Sequence, residues 1–187
     1  MRVRSYWRCR ESASDYGKMA DRRLFYALWP SDRQRETMRD SINPALSVVE
    51  GAAVDRRNWH VTLVFIGRFA EENIPALQEA VSEIEPFEIR LRFDRISYWQ
   101  RPKIASVHPR TVPAELEQLV RSLEEKLIPF GFEPNVRTYR PHITVARKAR
   151  TFPDQPLARP IDLQWSSFEL VESISSPRGV QYHPLKQ

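Results

Sequence analysis

The 187-residue chain is 41% hydrophobic and 28% charged, the balance of a globular protein, and its length suits one domain or two small lobes, not a large multidomain assembly. No apolar run approaches the roughly 20 residues of a membrane-spanning helix and no secretory h-region opens the chain, so a cytoplasmic protein without membrane attachment is expected. A net charge of +5 and a pI near 9.6 bias it toward anionic partners such as phosphates or nucleic acid.

Residues 1–20 are polar, Arg-rich and unpatterned, and are expected to form a flexible extension holding the lone Cys9, which has no partner for a disulfide or zinc site. Arg23 to Trp29 is an apolar, aromatic run of strand character closed by Pro30. Ser31 with Asp32 signals a helix start, and that helix is expected to reach about Leu46. A loop is expected to about Asn58, then a strand from Trp59 to Ile66 stopped by Gly67. Ile74, Leu77, Val81 and Ile84 recur at helical spacing. Strands are expected at Phe87 to Ile96 and Lys103 to His108, then a helix opened by Pro113 whose apolar stripe is Leu116, Leu119, Val120, Leu123 and Leu127. A short extended segment near Phe132, a strand His142 to Ala146, a Pro-rich loop from Thr151 to Pro160, and strands within Ile161 to Val171 and Val180 to Pro184 complete the reading. Strands and helices thus fall into two similar blocks, as a diverged duplication would produce.

Two of the four histidines open the same motif: His60-Val61-Thr62-Leu63 and His142-Ile143-Thr144-Val145. Chance supplies such a pair roughly once in a thousand. The 82-residue separation is about one block, as one motif per repeat requires. In a strand, i and i+2 share a face, so each motif presents an imidazole beside a hydroxyl while the intervening apolar residues go to the core. Two imidazoles and two hydroxyls around one volume suit a phosphodiester: one imidazole removes a proton from water, the other delivers one to the departing oxygen, and the hydroxyls hold the phosphate. No third metal ligand stands at a convincing spacing, so the chemistry is expected to be metal-independent and free of cofactors.

These residues, with the opening R-L-F-Y-A-L-W-P, the long forms N-W-H-V-T-L-V-F-I-G and R-P-H-I-T-V-A-R-K, R-P-K-I-A after Trp99, and F-E-L-V-E-S near the end, resemble the 2H phosphoesterase superfamily. Within it they are most similar to bacterial RNA 2′,3′-cyclic phosphodiesterases, also called 2′-5′ RNA ligases. The resemblance implies an α+β fold over residues 21–187, a single two-lobed domain with pseudo-twofold symmetry, mostly antiparallel sheets flanked by helices and a central groove. It implies hydrolysis of RNA 2′,3′-cyclic phosphate ends to 2′-phosphomonoesters, with 2′-5′ ligation as the possible reverse. Carried over, His60 is the proton donor, His142 the proton acceptor, and Thr62 and Thr144 hold the phosphate. The partner is then RNA with a cyclic end, acted on by a monomer that needs no protein partner. The ending V-Q-Y-H-P-L-K-Q departs from the family's usual Trp-Pro-Leu.

Beyond the motifs, Arg147 is a candidate for phosphate or base, and Tyr98 and Trp99, beside Arg101 and Lys103, for base stacking. Arg140 is read as a surface residue. Phe65, whose parity is opposite to that of His60, is read as core, and His108 and His183, each before a proline, as structural or exposed. The competing reading is a non-catalytic module holding RNA ends or nucleotides in the same groove.

Overall fold

The computed structural model describes residues 20–134, 138–177 and 179–185; Cys9 and nearly all of the expected extension lie outside them. The elements follow in order: β1 (Asp21–Leu28), α1 (Asp32–Leu46), β2 (Ala52–Ala53), β3 (Val61–Ala70), α2 (Ile74–Ser82), β4 (Ile89–Trp99), β5 (Ile104–Pro109), α3 (Ala114–Leu127), β6 (Ile143–Arg147), β7 (Gln155–Trp165), β8 (Glu169–Ser176) and β9 (Gly179–Pro184). They form a four-stranded sheet, β3-β1-β8-β9, and a five-stranded sheet, β2-β6-β5-β4-β7, with antiparallel neighbours throughout.

Local chemistry sets the helix ends. Ser31 caps α1 in a full capping box with Gln34, its hydroxyl taking the Gln34 N–H while the Gln34 side chain takes the Ser31 N–H. Pro113 precedes the first turn of α3, where its missing N–H costs nothing. The five apolar residues of the α3 stripe are all buried, worth about 2 kcal/mol each.

Three expectations are corrected. β3 does not stop at Gly67 but runs through it, because glycine accepts the φ of +88° that the chain adopts there. The Pro-rich stretch from Thr151 to Pro160 is half strand: β7 begins at Gln155 and contains both Pro156 and Pro160. Proline survives there because β7 is an edge strand, so an N–H turned to solvent is not missed. The loop expected to about Asn58 carries the two-residue strand β2, which pairs with β6, while Phe132 packs part-buried against the core.

The duplication is visible as β1–α1–β3 and β5–α3–β6, each an antiparallel pair joined through a helix. The helices are exchanged. α1 packs against β7 and β6 of the larger sheet, where the Gln34 amide donates to Gln164 O at 2.9 Å, while α3 packs against β3 of the smaller one. One continuous core therefore joins both sheets and all three helices, leaving a second face of each sheet to line a groove. Among the described residues no helix is long and apolar enough to cross a membrane.

Candidate active site

His60 and His142 each stand just before a strand that carries the motif threonine, and the two are anchored alike. His60 Nδ1 lies 2.7 Å from Asn58 O and His142 Nδ1 lies 2.9 Å from Arg140 O, in each case the carbonyl two residues back. A carbonyl only accepts, so Nδ1 carries the hydrogen in both rings and Nε2 is left for the groove. His60 Nε2 sits 3.1 Å from Thr62 Oγ1. Thr62 and His142 line one cleft of about 1330 Å³, and Tyr139 Oη donates to Thr62 O at 2.8 Å, tying the approach to the second motif onto the strand of the first.

A matched pair of one-residue bulges follows the threonines. Opposite β1, Thr62 faces Ala27 and Val64 faces Tyr26, leaving Leu63 unpaired. Opposite β5, Thr144 faces Ser106 and Ala146 faces Ala105, leaving Val145 unpaired. A bulge adds a residue and so reverses the alternation beyond it. The residue five places after each histidine thereby reaches the groove face: Arg147 in the second motif and Phe65 in the first. Phe65 is thus not core, as its parity suggested, but 49% exposed, with the Arg23 guanidinium 5.1 Å from its ring centre.

Trp99 and Tyr98 part company. The Trp99 ring lies 4.4 Å from that of His142 and 6.4 Å from that of His108, whereas Tyr98 faces the other way onto Phe152 and the core, removing it from the groove. His108, read as structural or exposed, is half-buried on the groove face, with Nε2 2.7 Å from Ser97 Oγ; Ser97 in turn donates to Asp154. Arg140 is exposed and lines the cleft beside Thr62 and His142, and His183 is exposed on β9.

Two contributors escaped the sequence reading. Tyr182 on β9 stands edge-on to His60 at 4.9 Å and accepts from Arg147 Nη2 at 3.1 Å, touching both motifs. Arg35 is buried, donating Nε to Arg56 O at 3.1 Å, Nη2 to Arg57 O and Trp59 O at 3.4 Å each, and Nη1 to Pro30 O. It also lies 5.0 Å over Trp29, which stacks on His60 at 5.6 Å and 19°. With Phe25 at 4.9 Å, three rings enclose His60.

That enclosure has an electrostatic result. Loss of water pushes the His60 imidazole down to about 4; the Asn58 carbonyl opposes this, and the nearby charges of His142, Arg147 and Arg35 reinforce it. His142 is also lowered, first by burial and then by His108, against the pull of the Arg140 carbonyl. Both rings therefore rest neutral at pH 7, with the lone pair on Nε2, which in His60 accepts from the Thr62 hydroxyl. Among the described residues no three His, Cys, Asp or Glu side chains converge as a metal site.

Residues 31–171 match the sequence model of the 2′-5′ RNA ligase superfamily. The RNA 2′,3′-cyclic phosphodiesterase of Archaeoglobus fulgidus is 28% identical over 177 residues, covering 88% of this chain and 98% of its own. That of Aeropyrum pernix is 31% identical over 160 residues, covering 79% and 90%. The crystal structure of E. coli LigT complexed with 3′-AMP superposes with a TM-score of 0.78 at 27% identity, over 89% of this chain and 97% of LigT.

Proposed function

Because this chain belongs to the 2′-5′ RNA ligase superfamily, we propose that it hydrolyses RNA 2′,3′-cyclic phosphate ends to 2′-phosphomonoesters through His60 and His142. The observation that carries the assignment is the identical anchoring of the two imidazoles, each with Nδ1–H on a carbonyl and Nε2 directed to a groove that also holds a threonine hydroxyl.

His142 Nε2 takes a proton from water as the water oxygen attacks phosphorus, the P–O3′ bond breaks, and His60 returns a proton to O3′. Thr62 and Thr144 donate to the non-bridging oxygens as charge gathers there, Thr62 exchanging its present contact with His60 Nε2 for one with phosphate. Arg147 retains guanidinium hydrogens beyond the one given to Tyr182, available to the phosphate, and Trp99 and Phe65 offer flat apolar surfaces to a terminal base. Which imidazole is acid and which is base follows the family resemblance. A 5′-hydroxyl in place of the attacking water, with the same proton transfers and the same P–O3′ bond broken, forms the 2′-5′ linkage.

The test is conversion of a cyclic-ended oligoribonucleotide to its 2′-phosphate in EDTA. His60→Ala and His142→Ala are each expected to slow turnover by about 10²–10⁴-fold. Unchanged turnover in either variant overturns the assignment, and binding without turnover in the parent protein would make the groove a capture site only.

A further inference from the structure

We infer that the RNA strand preceding the cyclic end leaves the groove over a cationic rim formed by the β4–β5 turn and the segment after β6, and that this rim makes the protein favour oligonucleotides over cyclic mononucleotides. This rests on the proposed cyclic-phosphate hydrolysis and adds to it a route for the rest of the substrate.

The two ends of β6 differ in charge. At the end marked by the Ile104↔Arg147 pairing, Ala149 N–H donates to Lys103 O at 3.0 Å, bringing Arg101 and Lys103 beside Arg147, Lys148 and Arg150. All five are exposed. The carboxylate joined to this group is Glu50, which pairs with Arg150 at 3.2 Å. Among the described residues no ion pair engages Arg101, Lys103 or Lys148. At the opposite end, before His142, the described residues lining the cleft include Glu117, Glu124 and Glu133 against Arg121 and Arg140. A polyanion leaving the catalytic groove is drawn to the first end and not to the second.

The backbone supplies an independent sign. Lys103 has φ of +64° and Lys148 φ of +51°, the left-handed region in which glycine is at ease and a residue with a Cβ costs about 1 kcal/mol. Two neighbouring turns thus both carry lysine where glycine is conformationally cheapest. Backbone strain held at adjacent positions that share a side-chain chemistry points to use of that chemistry, here two exposed lysines at the end of β6 that Arg147 marks. Arg147 and Trp99 link the mouth to the site: Arg147 touches Tyr182 beside His60, and Trp99, at the head of the turn, touches His142. The occupant that fits is a single-stranded phosphodiester backbone, since isolated phosphate needs one cation and not a row.

The experiment is the double variant Lys103→Gly/Lys148→Gly, which removes charge while relieving the backbone, so folding is preserved. Activity is measured on a 2′,3′-cyclic mononucleotide and on an RNA of about ten nucleotides ending in the same group, between about 50 and 200 mM salt. Mononucleotide hydrolysis is expected to stay at the parent value, while kcat/KM for the oligonucleotide falls about tenfold at low salt and its log–log salt slope flattens by about 1.4, the loss of two phosphate contacts on a single strand. An unchanged ratio between the two substrates overturns the rim. So does a change in that ratio produced by Arg121→Gln instead, which would send the strand out by the opposite end. Absence of hydrolysis of both substrates in the parent protein is the separate failure of the proposed reaction.

Discussion

His60 must carry a proton at the moment of bond breaking if it is the acid, yet its aromatic enclosure holds it near 4 in the free protein. The substrate supplies the correction: a phosphate anion beside Nε2 stabilises imidazolium and raises the pKa. The sign has a kinetic consequence. In the free enzyme the protonated fraction of His60 falls tenfold for each pH unit above about 4, whereas in the complex that fall begins at higher pH. The descending limb of kcat is therefore expected at higher pH than that of kcat/KM, and the His60 ring resonances should titrate upward by at least about one unit when 2′-phosphate product is bound. Coincident limbs and an unmoved titration would remove the acid role from His60. The imidazole and hydroxyl pairs were legible because the period-2 rule acts over three residues. Tyr182 was not, since 122 residues separate it from His60 and only strand pairing joins them. The cost of Arg35 was equally hidden, because a guanidinium facing four carbonyls looks in sequence like any other charge on a helix.

At the level of elements, one side chain ties the backbone of β9 to the site twice. The Asn58 amide donates Nδ2–H to Val180 O at 2.9 Å and accepts the Tyr182 N–H at 3.3 Å, while its own backbone carbonyl anchors His60. This also blunts an open sheet edge, since β9 ends the order β3-β1-β8-β9. Asn58→Ala keeps the carbonyl and deletes the clamp. It should accelerate amide exchange at Tyr182 and Val180 by about tenfold, cost about 1–2 kcal/mol, and lower kcat without altering the His60 anchor. Unchanged exchange would show that pairing with β8 alone fixes β9. Elements themselves were readable: the N-cap signal at Ser31 and Asp32 and Pro113 marked helix starts to within a residue. The bulges were not, because two residues opposing one is a property of a pair of strands, and a single strand's pattern cannot show where its partner skips. That omission alone accounts for reading Phe65 as core. The prolines of β7 misled for a related reason, since edge position belongs to the sheet and not to the segment.

Across the molecule, the exchange of helices binds the lobes. Met38 and Ile42 of α1 are fully buried in a core that also contains Leu123 and Leu127 of α3 and the apolar faces of both sheets. Neither sheet keeps a core of its own, so unfolding is expected as one transition, with far-ultraviolet dichroism and tryptophan fluorescence coincident in urea. Ile42→Ala should shift both probes together, by about 2–4 kcal/mol. Two separated transitions would mean that the lobes fold independently. The repeat was legible from the spacing of its motifs, whereas the α+β class came from the family resemblance, since alternating strands and helices by themselves equally suit a parallel sheet. Which sheet each helix covers was not, because an apolar stripe states that a face is buried without naming what buries it.

The position of β1 between β3 and β8 bears on how the protein is made. β1 and β3 can pair as soon as they are synthesised, but the other edge of β1, in the run Leu24–Phe25–Tyr26–Ala27, waits for β8. Roughly 100 residues intervene after β3, about 10 seconds of ribosomal elongation at ordinary rates. Throughout that interval a nascent chain displays an unpaired hydrophobic strand edge, the surface on which neighbouring chains misjoin. The order of strands in the sheet thus predicts a dependence of yield on temperature and translation speed that the finished fold, with that edge sealed, would not suggest.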